Sequence, residues 1–109
     1  MRVALKEGGT ELEVPLSSTQ PDDLVKIAIR AGDILLAIEE PRGLSARNVI
    51  QGTIESIEAR GPVEVLRVRA GALFQVHVTP GAMRALQLAV GKPVWLVVKT
   101  HSCHVVTPR

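Results

Sequence analysis

Hydrophobic and polar residues alternate along most of this chain, which is the pattern of β-strands that bury one face. The alternation runs through Arg2–Lys6, is interrupted at Gly8-Gly9, and resumes with Leu12, Val14 and Leu16. Two glycines supply the unusual backbone torsions of a tight turn, so the pattern predicts a β-hairpin with one solvent-exposed face.

A polar stretch with a proline, Ser17–Asp23, follows the hairpin and predicts a loop. The alternation returns in Val25–Arg30, and Ala31-Gly32-Asp33 interrupts it. Ile34–Ile38 is almost wholly apolar, which is typical of a short strand buried on both faces. A linker-like break at Glu39–Gly43 ends this part of the chain.

The remainder of the chain predicts further strands and one helix. Thr79 is a good helix N-cap, Pro80 suits the first helical position, and Gly91 predicts the stop, giving a short helix near residues 80–90. The expected strands are Asn48–Ala59 with a bulge or bend at Gly52, Val63–Arg69, Ala72–Thr79, Val94–Lys99 and Cys103–Val106.

One pattern occurs twice. Val25–Arg30 matches Val94–Lys99, and each copy ends on a cation, passes a small-residue step and resumes as an apolar strand, with Cys103 in the place of Ile34. This predicts two repeats, the first in residues 1–41 and the second in residues 42–109. The first lacks a counterpart of Ser45–Ala59, so we expect the chain to be a piece of a longer protein. The alternative is two hairpins that are alike only because hairpins are alike.

Composition narrows the function. Hydrophobic residues are 46% of the chain but aromatic residues only 2%, with no tyrosine, which argues against a protein that stacks nucleic-acid bases. The net charge is only +2, and a single cysteine excludes an internal disulfide. Segments long and apolar enough to cross a membrane are absent from the sequence. These features favour a cytoplasmic protein without nucleic-acid partners.

Catalytic and metal sites are poorly supported. The three histidines have no evident triad partner, and no nucleophile-elbow or phosphate-cradling motif occurs. His101, Cys103 and His104 are clustered, but strand alternation places His104 on the face opposite the other two, which disfavours a tetrahedral site. We therefore predict no enzyme and no metal, with Cys103 as a small buried hydrophobic residue.

Two short polar segments at strand ends are the candidate site. A small dianion needs converging donors, which hydroxyls, backbone N–H groups and one or two cations supply. The alternative is that the cations are solvated and Ser45 only begins a strand. The predicted oxyanion-binding residues are Ser45, Ala46, Arg47, Asn48, Lys99 and Thr100.

Ser45-Ala46-Arg47-Asn48 before a long strand, together with Val97-Val98-Lys99-Thr100, resembles the molybdenum-binding Mop family within the transport-associated OB (TOBE) domains. The resemblance implies an all-β fold of OB-like five-stranded β-barrels, built from tandem half-repeats that exchange their last strands. Ile34–Ile38 would then lie in the barrel of the second half and Cys103–Val106 in that of the first. In this chain Thr100 replaces the usual serine, and the first copy has no Ser-Ala-Arg-Asn segment.

The same resemblance implies a regulatory domain of a molybdate ABC-transporter ATP-binding subunit. Its ligand would be molybdate or tungstate, with no covalent cofactor, and its partners an upstream ATPase domain and the transporter's membrane subunits. The domain would be cytoplasmic and peripheral to the inner membrane. The alternatives are a free-standing molybdate-storage protein and a dimerisation or docking module that binds no anion.

The family's oxyanion sites lie at subunit interfaces, which implies a homodimer. Arg47 and Lys99 are separated by the full length of the second repeat. We therefore expect Arg47 of one chain to meet Lys99 of another across a two-fold axis.

Overall fold

The computed structural model describes residues 1–17 and 24–106, so all of the predicted Ser17–Asp23 loop except Ser17 lies outside the described residues. The described residues form one helix, α1 (Pro80–Leu86), and 3₁₀ turns at Ala31–Asp33 and Thr100–Ser102. They also form nine strands: β1 Arg2–Ala4, β2 Glu11–Glu13, β3 Lys26–Ala28, β4 Leu35–Ala37, β5 Asn48–Arg60, β6 Val63–Ala70, β7 Ala72–Val78, β8 Pro93–Val98 and β9 His104–Val106.

The strands form three open antiparallel sheets. The largest has five strands in the order β4-β8-β5-β6-β7, and the pairs β1-β2 and β3-β9 form two smaller sheets. The all-β expectation with one short helix is confirmed. The expected closed barrels are not seen among the described residues, because no ladder joins the edge strands β4 and β7 of the large sheet.

The expected exchange of strands between the two halves is present. β4, from the first half, pairs with β8 of the second, and β9, from the second half, pairs with β3 of the first. The two pairings are equivalent under the repeat. A shift of 69 positions carries Ile27 to Leu96 and Leu36 to Val105, so the pair Ile27–Val105 corresponds to the pair Leu96–Leu36.

The segments that lead into the two exchanged strands also have the same backbone geometry. Arg30 precedes the first 3₁₀ turn with φ −69° and ψ 134°, and Lys99 precedes the second with φ −70° and ψ 148°. The Asp33 N–H donates to the Arg30 carbonyl at 2.9 Å, and the Ser102 N–H donates to the Lys99 carbonyl at 3.0 Å. The division into two repeats remains a prediction, which this equivalence supports.

Aliphatic side chains from both halves share one core. Leu12 and Val14 of the first hairpin are each 1% exposed, and they belong to the same buried cluster as Leu66 and Leu96. Leu16, which the alternation also assigned to the buried face, is 88% exposed. Strand β2 ends at Glu13, before the chain reaches Leu16. Pro15 lies between these two residues, and proline cannot donate a hydrogen bond to a β-ladder.

Strand β4 corrects a second expectation. Ile34–Ile38 was expected to be buried on both faces, but Leu35 is 65% and Ile38 43% exposed. β4 is an edge strand of the five-stranded sheet with β8 as its ladder partner, so it has a neighbouring strand on one side only. Ile34, at 4% exposure, is part of the core, and the half-buried Leu36 packs against it.

Helix α1 begins where the sequence predicted and ends earlier. The Thr79 hydroxyl accepts from the Ala82 N–H at 3.1 Å, and Pro80 is the first helical residue. The helix ends at Leu86 because Gln87 adopts a left-handed conformation (φ 51°, ψ 47°) that carries Leu88 into the core. The expected stop at Gly91 is therefore wrong. This helix is too short to cross a membrane, as is every helix in the described ranges.

Two glycines allow strands to approach closely. A Cβ at Gly52 would lie 2.7 Å from the Arg69 carbonyl oxygen of β6, while the register shift of β5 falls between Ile54 and Ser56. The expected bulge at Gly52 is therefore displaced. Gly71, with φ 79°, packs against Thr10 of the first hairpin, so the two hairpin turns are in contact.

Candidate functional site

The start of β5 and the end of β8 meet side by side. Asn48 is paired with Val98 in the antiparallel ladder, so continuing the register by one residue places Arg47 opposite Lys99. The two cations therefore approach each other within one chain, while the expected meeting of Arg47 with Lys99 of another chain stays a prediction. Their separation in sequence is large, but β5 and β8 are hydrogen-bonded neighbours in the five-stranded sheet.

Both cations are exposed, and neither has an ion-pair partner among the described residues. Elsewhere, arginines are commonly paired with carboxylates. Arg69, for example, binds Glu55 at 3.0 Å and Glu7 at 2.6 Å. The hydrogen bond to Glu55, reinforced by the charges of both carboxylates, raises the pKa of Arg69. Two neighbouring cations without such partners create a local positive field that attracts anions.

A cleft of about 480 Å³ opens beside these strand ends. Its polar lining includes Ser45, Lys99 and Ser102, together with Asp33, whose carboxylate is paired with Arg30 at 3.3 Å. The remaining lining residues are small or apolar: Gly32, Leu35, Leu36, Ala37, Pro41, Leu44, Ala46 and Val97. The cleft therefore combines one cation, two hydroxyl donors and a carboxylate that is paired with Arg30 with an otherwise small or apolar wall.

The Asn48 side chain faces away from this cleft. It is 3% exposed, its Oδ1 accepts from the Glu13 N–H at 2.7 Å, and its Nδ2 donates to the Glu13 carbonyl at 2.9 Å. Nδ2 also lies 3.6 Å from the Cys103 sulfur. The Asn48 amide thus makes the two hydrogen bonds to the Glu13 backbone that a neighbouring strand would make. It anchors the first hairpin to the start of β5.

Thr100 is also engaged on that side. Its hydroxyl donates to Glu13 Oε2 at 2.8 Å, so Glu13 is held by Thr100 through its side chain and by Asn48 through its backbone. The six predicted residues therefore fall into two groups. Ser45, Ala46 and Lys99 line the cleft with Arg47 adjacent, whereas Asn48 and Thr100 contact Glu13.

Sequence reasoning did not find Glu13 or Ser102. Glu13 lies in an ordinary alternating hairpin strand, where an outward carboxylate is unremarkable, and no local signal links it to Asn48. Ser102 could have been found from the repeat, because it occupies the position of Asp33 in the first copy, and both residues line the cleft.

Cys103 is fully buried, as predicted, and burial raises the pKa of its thiol. His104 and His101 are exposed. In the parts of the chain that the structure describes, no three His, Cys, Asp or Glu side chains are grouped closely enough to hold a metal ion. Cys103 therefore serves the core.

Comparison with solved structures finds the same fold in a molybdate-binding protein. The crystal structure of the cytoplasmic molybdate-binding protein ModG, in a form with molybdate bound, superposes with a TM-score of 0.70. The sequence identity is 26%, and the match covers 77% of this chain and 62% of that one.

Curated relatives are molybdenum import ATP-binding proteins named ModC. The protein of Mesorhizobium japonicum is 42% identical over 94 residues, covering 84% of this chain and 25% of that protein. The protein of Rhodopseudomonas palustris is 35% identical over 103 residues, covering 89% of this chain and 27% of that protein. This chain thus spans about a quarter of the length of these relatives. The TOBE domain model matches residues 44–105, and the chain therefore belongs to the TOBE domain family.

Proposed function

We propose that this domain binds a tetrahedral oxyanion, molybdate, where the start of β5 meets the end of β8. The observation that supports this most directly is the register that places Arg47 opposite Lys99, both without a carboxylate partner in the described chain. Tungstate presents the same charge and the same acceptor oxygens, so the same donors would bind it. The domain acts by binding and performs no catalysis.

The cleft has the chemistry to retain such a dianion. Lys99 offers an ammonium group and Ser45 a hydroxyl, and each hydrogen bond to a charged group contributes about 1.5–3 kcal/mol. The cleft is open to solvent in the single domain, so these interactions would strengthen where a second copy covers it. In this proposal Ala46 contributes its backbone, and Arg47 contributes charge from the rim.

Asn48 and Thr100 take a different role from the one expected. Because their side chains are engaged with Glu13, we propose that they hold the loop before β5 and the turn after β8 in place. The direct donors are then Ser45, Arg47 and Lys99. The backbone of Ala46 completes this set.

We also propose that two copies of the domain pair through the outer edge of β4. Leu35, Ile38 and Leu44 are 65%, 43% and 40% exposed, and two of them line the cleft. A second copy seated there would bury this apolar surface and close the cleft over the anion. Binding and dimerisation would then stabilise each other.

The ModC relatives support a regulatory domain of a transport ATPase, with an upstream ATPase domain and membrane subunits as partners, at the cytoplasmic side of the inner membrane. The likeness to ModG favours the second candidate, a free-standing molybdate-binding or storage protein. A docking module that binds no anion is the third, and the exposed apolar edge of β4 is the feature that favours it.

Isothermal titration calorimetry distinguishes binding from docking. The domain is titrated with molybdate, tungstate, sulfate and phosphate at low ionic strength, and sedimentation follows its oligomeric state. The proposal expects saturable heat with molybdate and tungstate, and a larger dimer fraction when the anion is present. Absence of heat with all four anions, at domain concentrations where the dimer forms, would leave the docking module as the function.

A further inference from the structure

Among the described residues, the first repeat has one strand fewer than the five-stranded sheet of the second. In that sheet β5 lies between β8 and β6 and is hydrogen-bonded to both. Under the repeat, β9 and β3 correspond to β4 and β8. The β1-β2 hairpin corresponds to the β6-β7 hairpin, and both reverse at glycines with positive φ. The strand without a counterpart is β5, and we call its place between β3 and β1 the open strand position.

The backbone of β1 has a free edge at this position, because β2 is its ladder partner among the described strands. The Leu5 N–H donates to the Thr10 carbonyl at 2.8 Å, and successive residues of an antiparallel strand direct their N–H and C=O groups to opposite sides. The N–H and C=O groups of Arg2 and Ala4 therefore point away from β2. Strand β3 likewise pairs with β9 on one edge, and no other described strand pairs with it.

Apolar side chains at β3 are less buried than their counterparts at β8. Leu96 and Val98 are 0% and 1% exposed, and β8 has a neighbouring strand on each edge. Ile27 and Ile29, which the shift of 69 positions relates to them, are only partly buried although they pack against the same core. The strand with one neighbour therefore leaves apolar surface open that the strand with two neighbours covers.

The same difference separates β1 from β6. Leu12 and Phe74 are the first buried residues after the two hairpin turns, and they pair with Val3 and Val68. Val68 is 0% exposed, whereas Val3 is only partly buried. Leu12 and Phe74 themselves are both buried, at 1% and 8% exposure. The loss of burial therefore falls on β1 and β3, the two strands that border the open strand position.

We propose that the open strand position is a strand-addition site that takes one extended polypeptide segment from outside residues 1–109. The segment pairs with β3 on one edge and β1 on the other, as β5 pairs with β8 and β6. Backbone hydrogen bonds supply the affinity, and alternate side chains supply the specificity. The second repeat indicates which side chains fit. The core-facing residues of β5 are an amide followed by apolar or small residues at every second position: Asn48, Ile50, Gly52 and Ile54.

The test uses a synthetic peptide with the sequence of residues 44–59, titrated into the domain by calorimetry. Amide hydrogen exchange, resolved by NMR, then locates the bound peptide. We expect saturable one-to-one binding, with exchange slowed at least about tenfold at Arg2, Ala4 and in β3, because these amides gain hydrogen bonds. Exchange in β6 and β8 should not change, since both strands already have two neighbours. A peptide with prolines in place of Ile50 and Ile54 is the control, because it cannot complete the ladders.

Ala4→Pro tests the proposed edge directly. The proline ring replaces the N–H that points to the open strand position, and the β1-β2 ladder does not use that N–H. The affinity for the peptide should fall by about tenfold, the upper value for one hydrogen bond. Ala4→Val is the matched control: it keeps the N–H and suits a strand, so it should bind like the parent. Circular dichroism and the melting temperature verify that both variants fold.

A covalent version removes the dependence on peptide affinity. Residues 44–65 are fused before Met1, because the equivalence of Val3 and Val68 places Met1 at the position of Leu66. Tethering raises the effective concentration of the added strand to roughly the millimolar range. The fusion should melt at a higher temperature than the domain and protect the outward amides of β1. The same fusion with the two prolines should do neither.

Every outcome bears on the inference. Binding that protects β1 and β3 and is weakened by Ala4→Pro supports it. Protection of other strands only, equal binding by Ala4→Pro and Ala4→Val, or a fusion with unchanged exchange in β1 and β3 would overturn it. Protection of Arg2 and Ala4 in a self-associated domain without peptide would also overturn it, because a second copy would then occupy the position. None of these measurements involves an oxyanion, so they are independent of the proposed function.

Discussion

Replacing Asn48 by alanine tests the structural core of the site without reference to any ligand. The Asn48 amide is the sole side chain, among the described residues, that satisfies both the N–H and the C=O of Glu13, at 2.7 and 2.9 Å. Alanine would leave both backbone groups without a partner and open a small cavity beside Cys103. The first hairpin would then lose its attachment to β5.

The magnitude follows from these two groups. A buried backbone donor or acceptor without a partner costs about 1–3 kcal/mol, and Glu13 is only partly buried, so water can reach part of it. We therefore expect Asn48→Ala to lower the free energy of unfolding by about 2–4 kcal/mol. For a domain of this size, such a loss lowers the melting temperature by roughly 10–20 °C. Asn48→Asp keeps the acceptor but turns an oxygen towards the Glu13 carbonyl, so it should not restore stability.

Urea unfolding followed by circular dichroism measures the effect. Gln51→Ala is the matched control, because Gln51 is an exposed amide on the same strand, and its loss should change stability by less than about 0.5 kcal/mol. If Asn48→Ala loses no more than Gln51→Ala, the Asn48 amide does not anchor the hairpin. The two-group assignment of the site residues would then have to be abandoned.

Three further outcomes are expected. Lys99→Ala should weaken molybdate binding by about 1.5–3 kcal/mol in calorimetry. Arg30→Ala, the repeat counterpart, removes only an exposed partner of the Asp33 carboxylate and should weaken binding much less; the reverse order would move the site to the first repeat. Gly71→Ala should cost more than about 1 kcal/mol in thermal unfolding, because φ is 79° and the added methyl meets the first hairpin; an unchanged melting temperature would contradict that contact. Burial raises the pKa of the Cys103 thiol above its ordinary value of 9.0. The neutral thiol therefore stabilises the fold below pH 9.0, and this contribution is lost as the pH rises through the pKa of the folded state. Cys103→Ala should remove this loss of stability at alkaline pH, as measured by urea unfolding from about pH 7 to 10.

Much of the fold could be predicted because local signals and tertiary packing agree. Thr79-Pro80 specifies the start of α1 through an N-cap bond and a fixed proline torsion, both of which depend on neighbouring residues. The end of α1 could not be predicted from Gly91, because the chain leaves the helix where Leu88 enters the core. Likewise, the apolar run Ile34–Ile38 predicts a strand but does not reveal whether a neighbouring element covers it.

The site was harder to predict than the fold. The short motifs indicated Arg47 and Lys99 as parts of one site but assigned them to two different chains. They could not show that β5 and β8 are antiparallel neighbours, which brings the start of one strand to the end of the other. Spacing alone could not reveal that Asn48 and Thr100 turn to the opposite side. That choice depends on Glu13, 35 residues away from Asn48 along the chain, which becomes their neighbour only after both halves have packed.

The exchanged strands determine the order in which the chain can fold. β5, β6 and β7 are joined by tight turns, so their ladders form between residues that are close in sequence. The β3-β9 ladder instead joins Lys26 to Val106 and must close a loop that contains most of the chain. Closing so long a loop is entropically costly until other contacts hold its ends together. The hairpins of the second half therefore form early, and the ladder that contains the last described residue closes late. During synthesis, β3 must therefore wait until β9 has been made before its ladder partner is available.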